Sequence, residues 1–318
     1  MNYRINIFVV LTFILFSCKE TTETKTLSQP DDPLTYHSTQ HLIEAEELQS
    51  ILLNEQIKVI DFRKYEEYEK NHIPTALNLW RTDIENKTYP YKGIRADKPN
   101  LEKVISNLGI HQDDIIIIYD DRGLCDAARL WWVLKTYNFE KVKLLNGGLS
   151  AWKNNEGMLT TETTSTKPSD FVFINNPSKD FQIDKNHLNS LLNEEELVLI
   201  DARTVDEYSG KRQKTGAMQG GRIPKSINID WMHSIEAKTT QKFKSRIALE
   251  KIYTFAGKEK DNLIVTYCHT GVRSAHTTFV LTELLGYTNV KNYDGSWSEW
   301  SYFEDLPIEK DSVTAVLN

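Results

Sequence analysis

The sequence predicts an α/β fold in two similar halves, each a mostly parallel sheet with helices on both faces. Three observations carry that expectation: an internal repeat, a strand-helix-strand rhythm inside each copy, and an ordinary globular composition, 40% hydrophobic and 26% charged over 318 residues. Charge narrows the partners. With 38 Lys plus Arg against 45 Asp plus Glu, a net charge of −7 supplies no field to displace counterions from a phosphate backbone, which argues against nucleic acid. The three cysteines, Cys18, Cys125 and Cys268, are too few and too scattered for a disulfide scaffold or a CxxC zinc site, so no metal is expected.

In chain order, Arg4 precedes an apolar run of 12 residues, Ile5 to Phe16, too short for the roughly 20 residues of a membrane-spanning helix and suited to an export signal. The run ends in Leu15-Phe-Ser-Cys18, which resembles the lipobox of bacterial lipoproteins. That resemblance implies a signal over residues 1–17, lipid on Cys18 and attachment to a membrane of the cell envelope on its periplasmic side. Residues 18–36 are polar and Thr-rich with little to bury, and read as a tether.

The repeat follows. Asp61-Phe-Arg63-Lys-Tyr-Glu66-Glu67-Tyr68 and Asp201-Ala-Arg203-Thr-Val-Asp206-Glu207-Tyr208 share D-x-R-x-x-[E/D]-E-Y, each after a buried β-type run. Ile73-Pro74 with Asn78 matches Ile223-Pro224 with Asn228, the second copy carrying ten extra residues before it. IIIIYD ending at Asp120 pairs with LIVTYC ending at Cys268, and 27 residues after each stand Gly147 and Gly295. A spacing held that closely points to duplication. Helical stretches over Ala127 to Tyr137 and Arg273 to Leu285 complete a βαβ unit in each copy. The halves are assigned to residues 37–156 and 183–304, with a polar connection over 157–182, extended at Phe171-Val-Phe-Ile174, and a tail over 305–318.

In open α/β sheets ligands bind beyond the carboxyl ends of the strands, against helix N-termini. Cys268 stands there, followed by His269, Thr270, Gly271, Val272 and Arg273. Gly271 lets successive N–H groups turn inward as an anion nest, and His269 and Arg273 are expected to add side-chain donors. A thiol so placed should ionise more readily than a free cysteine, whereas a merely packed cysteine has no use for glycine and two basic neighbours downstream.

These residues resemble the rhodanese family of sulfurtransferases in its tandem-domain form, over about residues 40 to 304. The likeness rests on the paired D-x-R motifs, Tyr68-x-x-x-His72-Ile73-Pro74, the loop CHTGVR, and YDGSWSEW from Tyr293 to Trp300. It implies two rhodanese-like domains, an inactive first half with Asp120 in the nucleophile's place, and a Cys268 persulfide that carries sulfur from a small anionic donor such as thiosulfate to cyanide or a thiol. It implies no cofactor. Thr75 replaces the family's glycine after His-Ile-Pro, and Arg222 takes the place of His72 in the second copy.

Arg212, Lys214 and Arg222 are candidate carboxylate-binding residues, which would favour 3-mercaptopyruvate, or else belong to a solvated loop. The spacing from Cys268 to Arg273 is C-x4-R, one short of the C-x5-R of phosphatases with the same fold, and argues against phosphoester hydrolysis. A sulfane-sulfur carrier or redox module is the non-enzymatic alternative. Arg63 and Arg203 are expected as buried partners of carboxylates, His72 as a turn stabiliser, and Trp131, Trp132, Trp152, Trp297 and Trp300 as packing between helices and sheets, the last two near enough to the strand end to line the cleft. Cys125, in an acidic loop, is read as structural; a Cys125–Cys268 disulfide stays open, as do cleft or surface roles for Arg122 and Arg129.

Overall fold

In the computed structural model, which describes residues 35–254 and 260–311, the two halves repeat each other strand for strand. The first sheet contains β1 (Leu42–Ile43), β2 (Ile57–Asp61), β3 (Leu77–Asn78), β4 (Ile115–Tyr119) and β5 (Val142–Leu145), in the order β1-β5-β4-β2-β3. The second contains β6 (Gln182–Ile183), β7 (Val198–Asp201), β8 (Ile227–Asn228), β9 (Ile264–Tyr267) and β10 (Val290–Tyr293), in the order β6-β10-β9-β7-β8. Every pairing within both sheets is parallel. This is why the strands read as continuous Ile, Leu and Val runs: both faces are covered.

Helices α1 (Ala45–Ile51), α2 (Tyr65–Lys70), α3 (Lys98–Asn107), α4 (Ala127–Thr136) and α5 (Gly148–Asn154) flank the first sheet, and α6 (Lys185–Leu191), α7 (Val205–Tyr208), α8 (Arg246–Ile252), α9 (Val272–Phe279) and α10 (Ser296–Trp300) the second. The stretch expected to be helical to Leu285 changes pitch, α9 passing into a π-helical turn over Val280–Leu284. Across the middle of the molecule α4 packs on α9, with Trp131 edge-on to Phe279 at 4.8 Å between centroids, so one apolar core runs through both halves. The five tryptophans expected to pack are each at most 1% exposed. The connection lies along the first half: Phe171 and Phe173 are buried, Val172 and Ile174 exposed, and Phe173 stacks on Tyr137 at 4.1 Å. At the start of the first half, His37 and Ser38 donate backbone bonds to the Leu284 and Glu283 carbonyls.

The D-x-R motifs work as expected. Arg63 Nη2 lies 2.6 Å from Asp61 Oδ2 and also donates to the Asn71 carbonyl; Arg203 Nη2 repeats this with Asp201 at 2.6 Å and the Gly221 carbonyl. Each pair fastens a strand end to the following turn. His72 stacks on Tyr68 at 3.7 Å with its ring nitrogens 2.8 Å from the Tyr68 carbonyl and 3.1 Å from the Glu162 carbonyl, acceptors to which a ring N–H donates, so it serves as a turn contact. Thr75 and Lys225 after the two Ile-Pro pairs sit at φ +68° and +63°, the left-handed conformation that glycine adopts without strain.

Candidate active site

Cys268 follows directly after β9, and its loop is pinned from below by the next strand-to-helix turn. Ser296, at φ +51°, accepts the N–H of Cys268 at 3.1 Å and of Gly271 at 3.0 Å with one hydroxyl oxygen, and donates to the Tyr293 carbonyl. The N–H groups of Trp297 and Ser298 take the Cys268 and His269 carbonyls, and the Ser298 hydroxyl adds a second bond to His269. With its carbonyls tied to α10, the loop turns its remaining N–H groups toward the sulfur.

The duplicated loop in the first half displays the shape with an anion inside it. Asp120 Oδ1 accepts the N–H groups of Arg122 and Leu124, and Oδ2 those of Asp126 and Ala127, at 2.8 to 2.9 Å. Four backbone donors converge on a carboxylate at the position of the Cys268 side chain.

Cys268 has no exposed surface. Burial pushes its thiol up, but the Arg273 guanidinium, the Ser274 hydroxyl and the N–H groups of Ser274 and Thr270 outweigh that and hold it below the usual thiol range. Cys125, also buried, moves the opposite way: burial, then Asp126 and Asp120, drive its thiol well up, as its acidic loop implied. Both thiols are free, so the disulfide left open by the sequence is absent.

The side chains expected to make the loop basic do less than their charges suggest. Arg273 is held bidentate by Glu207, Nη1 to Oε2 at 2.7 Å and Nη2 to Oε1 at 2.9 Å. Burial would raise the Glu207 carboxyl, yet Arg273 holds it at about 2. His269 adds no cation: burial first, then Lys214, lower it to about 4, and its Nε2 lies 3.0 Å from the Thr215 carbonyl. At neutral pH that ring donates to Thr215 instead of to a bound anion.

Of the three candidate carboxylate binders, only Lys214 is at the site. Its ammonium is pulled down by desolvation and then by Arg273, and pulled up by Glu207 and Cys268, so it lies within electrostatic reach of the thiol. Arg222 is committed elsewhere, to Asp311 at 2.6 Å and Glu309 at 3.3 Å with its guanidinium over Tyr208, and is corrected to a structural role matching that of His72. Arg212 is exposed and contributes its backbone N–H to Asp206.

Glu207 and Ser296 were missed as site residues, and the sequence leaves Arg129 open between a cleft role and a helix-surface one. Glu207 was visible as a motif position, but its use depends on the exchange of Cys125 for Arg273 between the copies. Ser296 had a signal in standing where the first copy has Gly148. Arg129, on α4, reaches across from the first half to the Gly271 carbonyl at 3.4 Å and to Asp294 at 2.7 Å. Gly93 of the first half packs against the loop as well: a Cβ there would stand 2.6 Å from the Thr270 Cβ, and its φ of +104° also calls for glycine. Arg122 turns to the surface, 60% exposed and 3.3 Å from Asp126. Trp297 and Trp300 are enclosed, donating to the Gln219 and Pro307 carbonyls.

Comparison with known proteins agrees with this arrangement. The rhodanese-like domain matches twice, over residues 44–155 and 184–302. The thiosulfate sulfurtransferase of Corynebacterium glutamicum is 31% identical over 302 residues, covering 89% of this chain and 96% of its own. A Mycobacterium bovis protein provisionally named thiosulfate sulfurtransferase 1 is 36% identical over 249 residues, 76% of this chain and 87% of its own. Among solved structures, the 3-mercaptopyruvate enzyme SseA of Escherichia coli superposes with a TM-score of 0.72 at 25% identity, over 81% of this chain and 98% of its own. The anaerobic ergothioneine biosynthesis enzyme of Chlorobium limicola shares the fold, with a TM-score of 0.74 at 22% identity over 87% of this chain and 71% of its own. Twofold match, strand order and paired loops lead to one statement: the chain belongs to the rhodanese family of sulfurtransferases, in its tandem two-domain form.

Proposed function

We propose that the chain transfers sulfane sulfur from thiosulfate to a thiophilic acceptor, cyanide or a thiol, through a persulfide on Cys268. The observation that carries this reading is the pair of matching loops: one wraps a carboxylate in four N–H bonds, and its twin surrounds a thiol whose ionisation is favoured by Arg273. In the first step the thiolate attacks the outer sulfur of thiosulfate, the sulfur–sulfur bond breaks, and sulfite leaves with the bonding electrons. In the second, the acceptor attacks the terminal sulfur and the Cys268 thiolate leaves. Both steps keep one negative charge at the loop, where fixed N–H dipoles in a dry site stabilise it without reorganisation. A ping-pong rate law follows.

Thiosulfate is favoured over 3-mercaptopyruvate because, of the three candidates for the carboxylate, Arg222 is already paired with Asp311 and Glu309 and Arg212 is exposed, which leaves Lys214 alone at the site. The test has two parts. Stoichiometric thiosulfate should add one sulfur atom to the peptide containing Cys268 by mass spectrometry, and kcat/KM should be higher for thiosulfate than for 3-mercaptopyruvate. An unmodified Cys268 peptide overturns the persulfide, and a hundredfold preference for 3-mercaptopyruvate overturns the donor. Continuous thiocyanate release distinguishes a catalyst from a carrier. Export and lipid attachment through Cys18 belong to the same proposal; they rest on the sequence, since Cys18 lies outside the described residues.

A further inference from the structure

The first half keeps a crevice where its repeat position implies one. At the carboxyl ends of β2, β3 and β4 is a cavity of about 500 Å³ bordered by Lys64, Trp80, Arg81, Asp121, Arg122 and Asp126. That volume falls within the usual range for small-molecule sites, roughly 300 to 1,000 Å³. By the repeat, these six residues stand where the second half has Thr204, Asp230, Trp231, His269, Thr270 and Ser274. Five of the six exchanges install a charge, the reverse of what a disused pocket filled by packing would show.

Nearby charges are spoken for: Arg63 by Asp61 at 2.6 Å, with Asp121 3.7 Å from its other terminal nitrogen, and Glu67 by Lys70. Three cations and two carboxylates then face the cavity. Arg81 lies over the Trp80 ring at 4.8 Å, with its Nε 3.4 Å from Asp126 Oδ1. Asp126 is 2% exposed, and neither its Oδ1 nor Arg81 Nε makes a hydrogen bond among the described residues. A buried acceptor left unmet costs about 1–3 kcal/mol, so its retention calls for an explanation.

We propose that this crevice binds a free α-amino acid, with its ammonium at Asp126 and Asp121, its carboxylate at Lys64 and Arg122, and its side chain on the Trp80 indole. Both signs of charge and an apolar platform match a zwitterion: Asp126 is paired with Arg81 at 3.4 Å and Arg122 at 3.3 Å, and a ligand carrying both charges can exchange those pairs for its own, its carboxylate taking Arg122 as its ammonium takes Asp126, where a single-charge ligand strands one partner. Burial pushes the Asp126 carboxyl up against the pull of Arg81 and Arg122, and a bound ammonium offsets that burial. The crevice uses none of the residues of the Cys268 loop, although Lys214 acts electrostatically on both Asp126 and Cys268, so the two are neighbours; the amino-acid reading does not depend on the sulfur chemistry.

Calorimetric titration of the full chain with L-alanine, acetate and ethylamine tests it. Saturable binding of L-alanine is expected, at least tenfold tighter than either single-charge probe, with Arg122→Gln weakening it at least tenfold and leaving thiocyanate production unchanged. Asp126→Asn should weaken L-alanine equally; because Asp126 is buried and that variant risks misfolding, the exposed Arg122 carries the test by itself. No saturable heat with L-alanine, acetate binding as tightly as L-alanine, or an Arg122→Gln protein that binds as wild type each overturns the proposal.

Discussion

Asp120 and Cys268 hold the same place in two copies of one loop, and the loops differ in where their anion comes from. The first half supplies a carboxylate of its own and saturates four N–H groups with it, while burial and then Asp126 push that carboxyl up to about 6. The second half offers a thiol, and adds what a thiol needs to be an anion there: Arg273 in place of Cys125, Glu207 turned inward to hold it, and Ser296 in place of Gly148. Glu67, the counterpart of Glu207, has no arginine to meet and pairs with Lys70 at the surface, 45% exposed. The lesson is that an anion nest by itself is a structural device. Function enters when the anion is one that can leave, return and carry cargo.

That comparison breaks first at the sulfur. Cys268→Ser should lower thiocyanate formation by three orders of magnitude or more, a hydroxyl being unable to hold a sulfane sulfur, whereas Cys125→Ser should stay within twofold of wild type in steady-state kinetics. A large loss in the second variant would mean that the halves share the chemistry. The next effect belongs to Arg273. Arg273→Gln removes the charge that favours the thiolate, so the pH midpoint for alkylation of Cys268 by iodoacetamide should move up and kcat/KM at neutral pH should fall by about a hundredfold. The single change also strands Glu207, 4% exposed, without its partner, and breaking a buried pair costs roughly 3–5 kcal/mol. The double variant Glu207→Gln with Arg273→Gln removes both charges, and should recover stability in thermal unfolding without recovering the alkylation midpoint. A double variant that alkylates with the wild-type pH profile would sink the assignment.

Much of this was readable in the sequence because duplication makes each half a control for the other. Strand ends, the βαβ rhythm, the Asp61–Arg63 and Asp201–Arg203 pairs and the Cys268 loop all follow from residue type at repeated spacing. What stayed hidden depended on partners distant in the chain. The charge of His269 is set by burial and by Lys214, and no local pattern reports either. Arg222 looks free until residues 309 and 311 return beside it. Arg129 stays undecided between cleft and helix surface until α4 is packed on α9, when it becomes a strut from the inert half onto the Gly271 carbonyl. The pitch change at Val280 had no glycine or proline to announce it.

The smallest effect is the sharpest comparison, because Ser296→Gly installs the first half's own residue. The backbone bond from Trp297 to the Cys268 carbonyl has its counterpart from Leu149 to the Asp120 carbonyl, so that bond is common to the copies and the Ser296 hydroxyl is not. Without it, the Cys268 and Gly271 N–H groups lose the acceptor that sets their direction, and kcat/KM should fall about tenfold. Stability should fall by about 2 kcal/mol, since three buried hydrogen bonds worth about 1 kcal/mol each are lost and glycine relieves strain worth only about one of them at φ +51°. Ser296→Ala makes the control: it loses the same hydroxyl but keeps a Cβ in the left-handed region, so it should match the glycine variant in activity and unfold at a lower temperature. If Ser296→Gly turns over at the wild-type rate, the hydroxyl serves the fold alone, and the two loops differ only in sulfur and arginine.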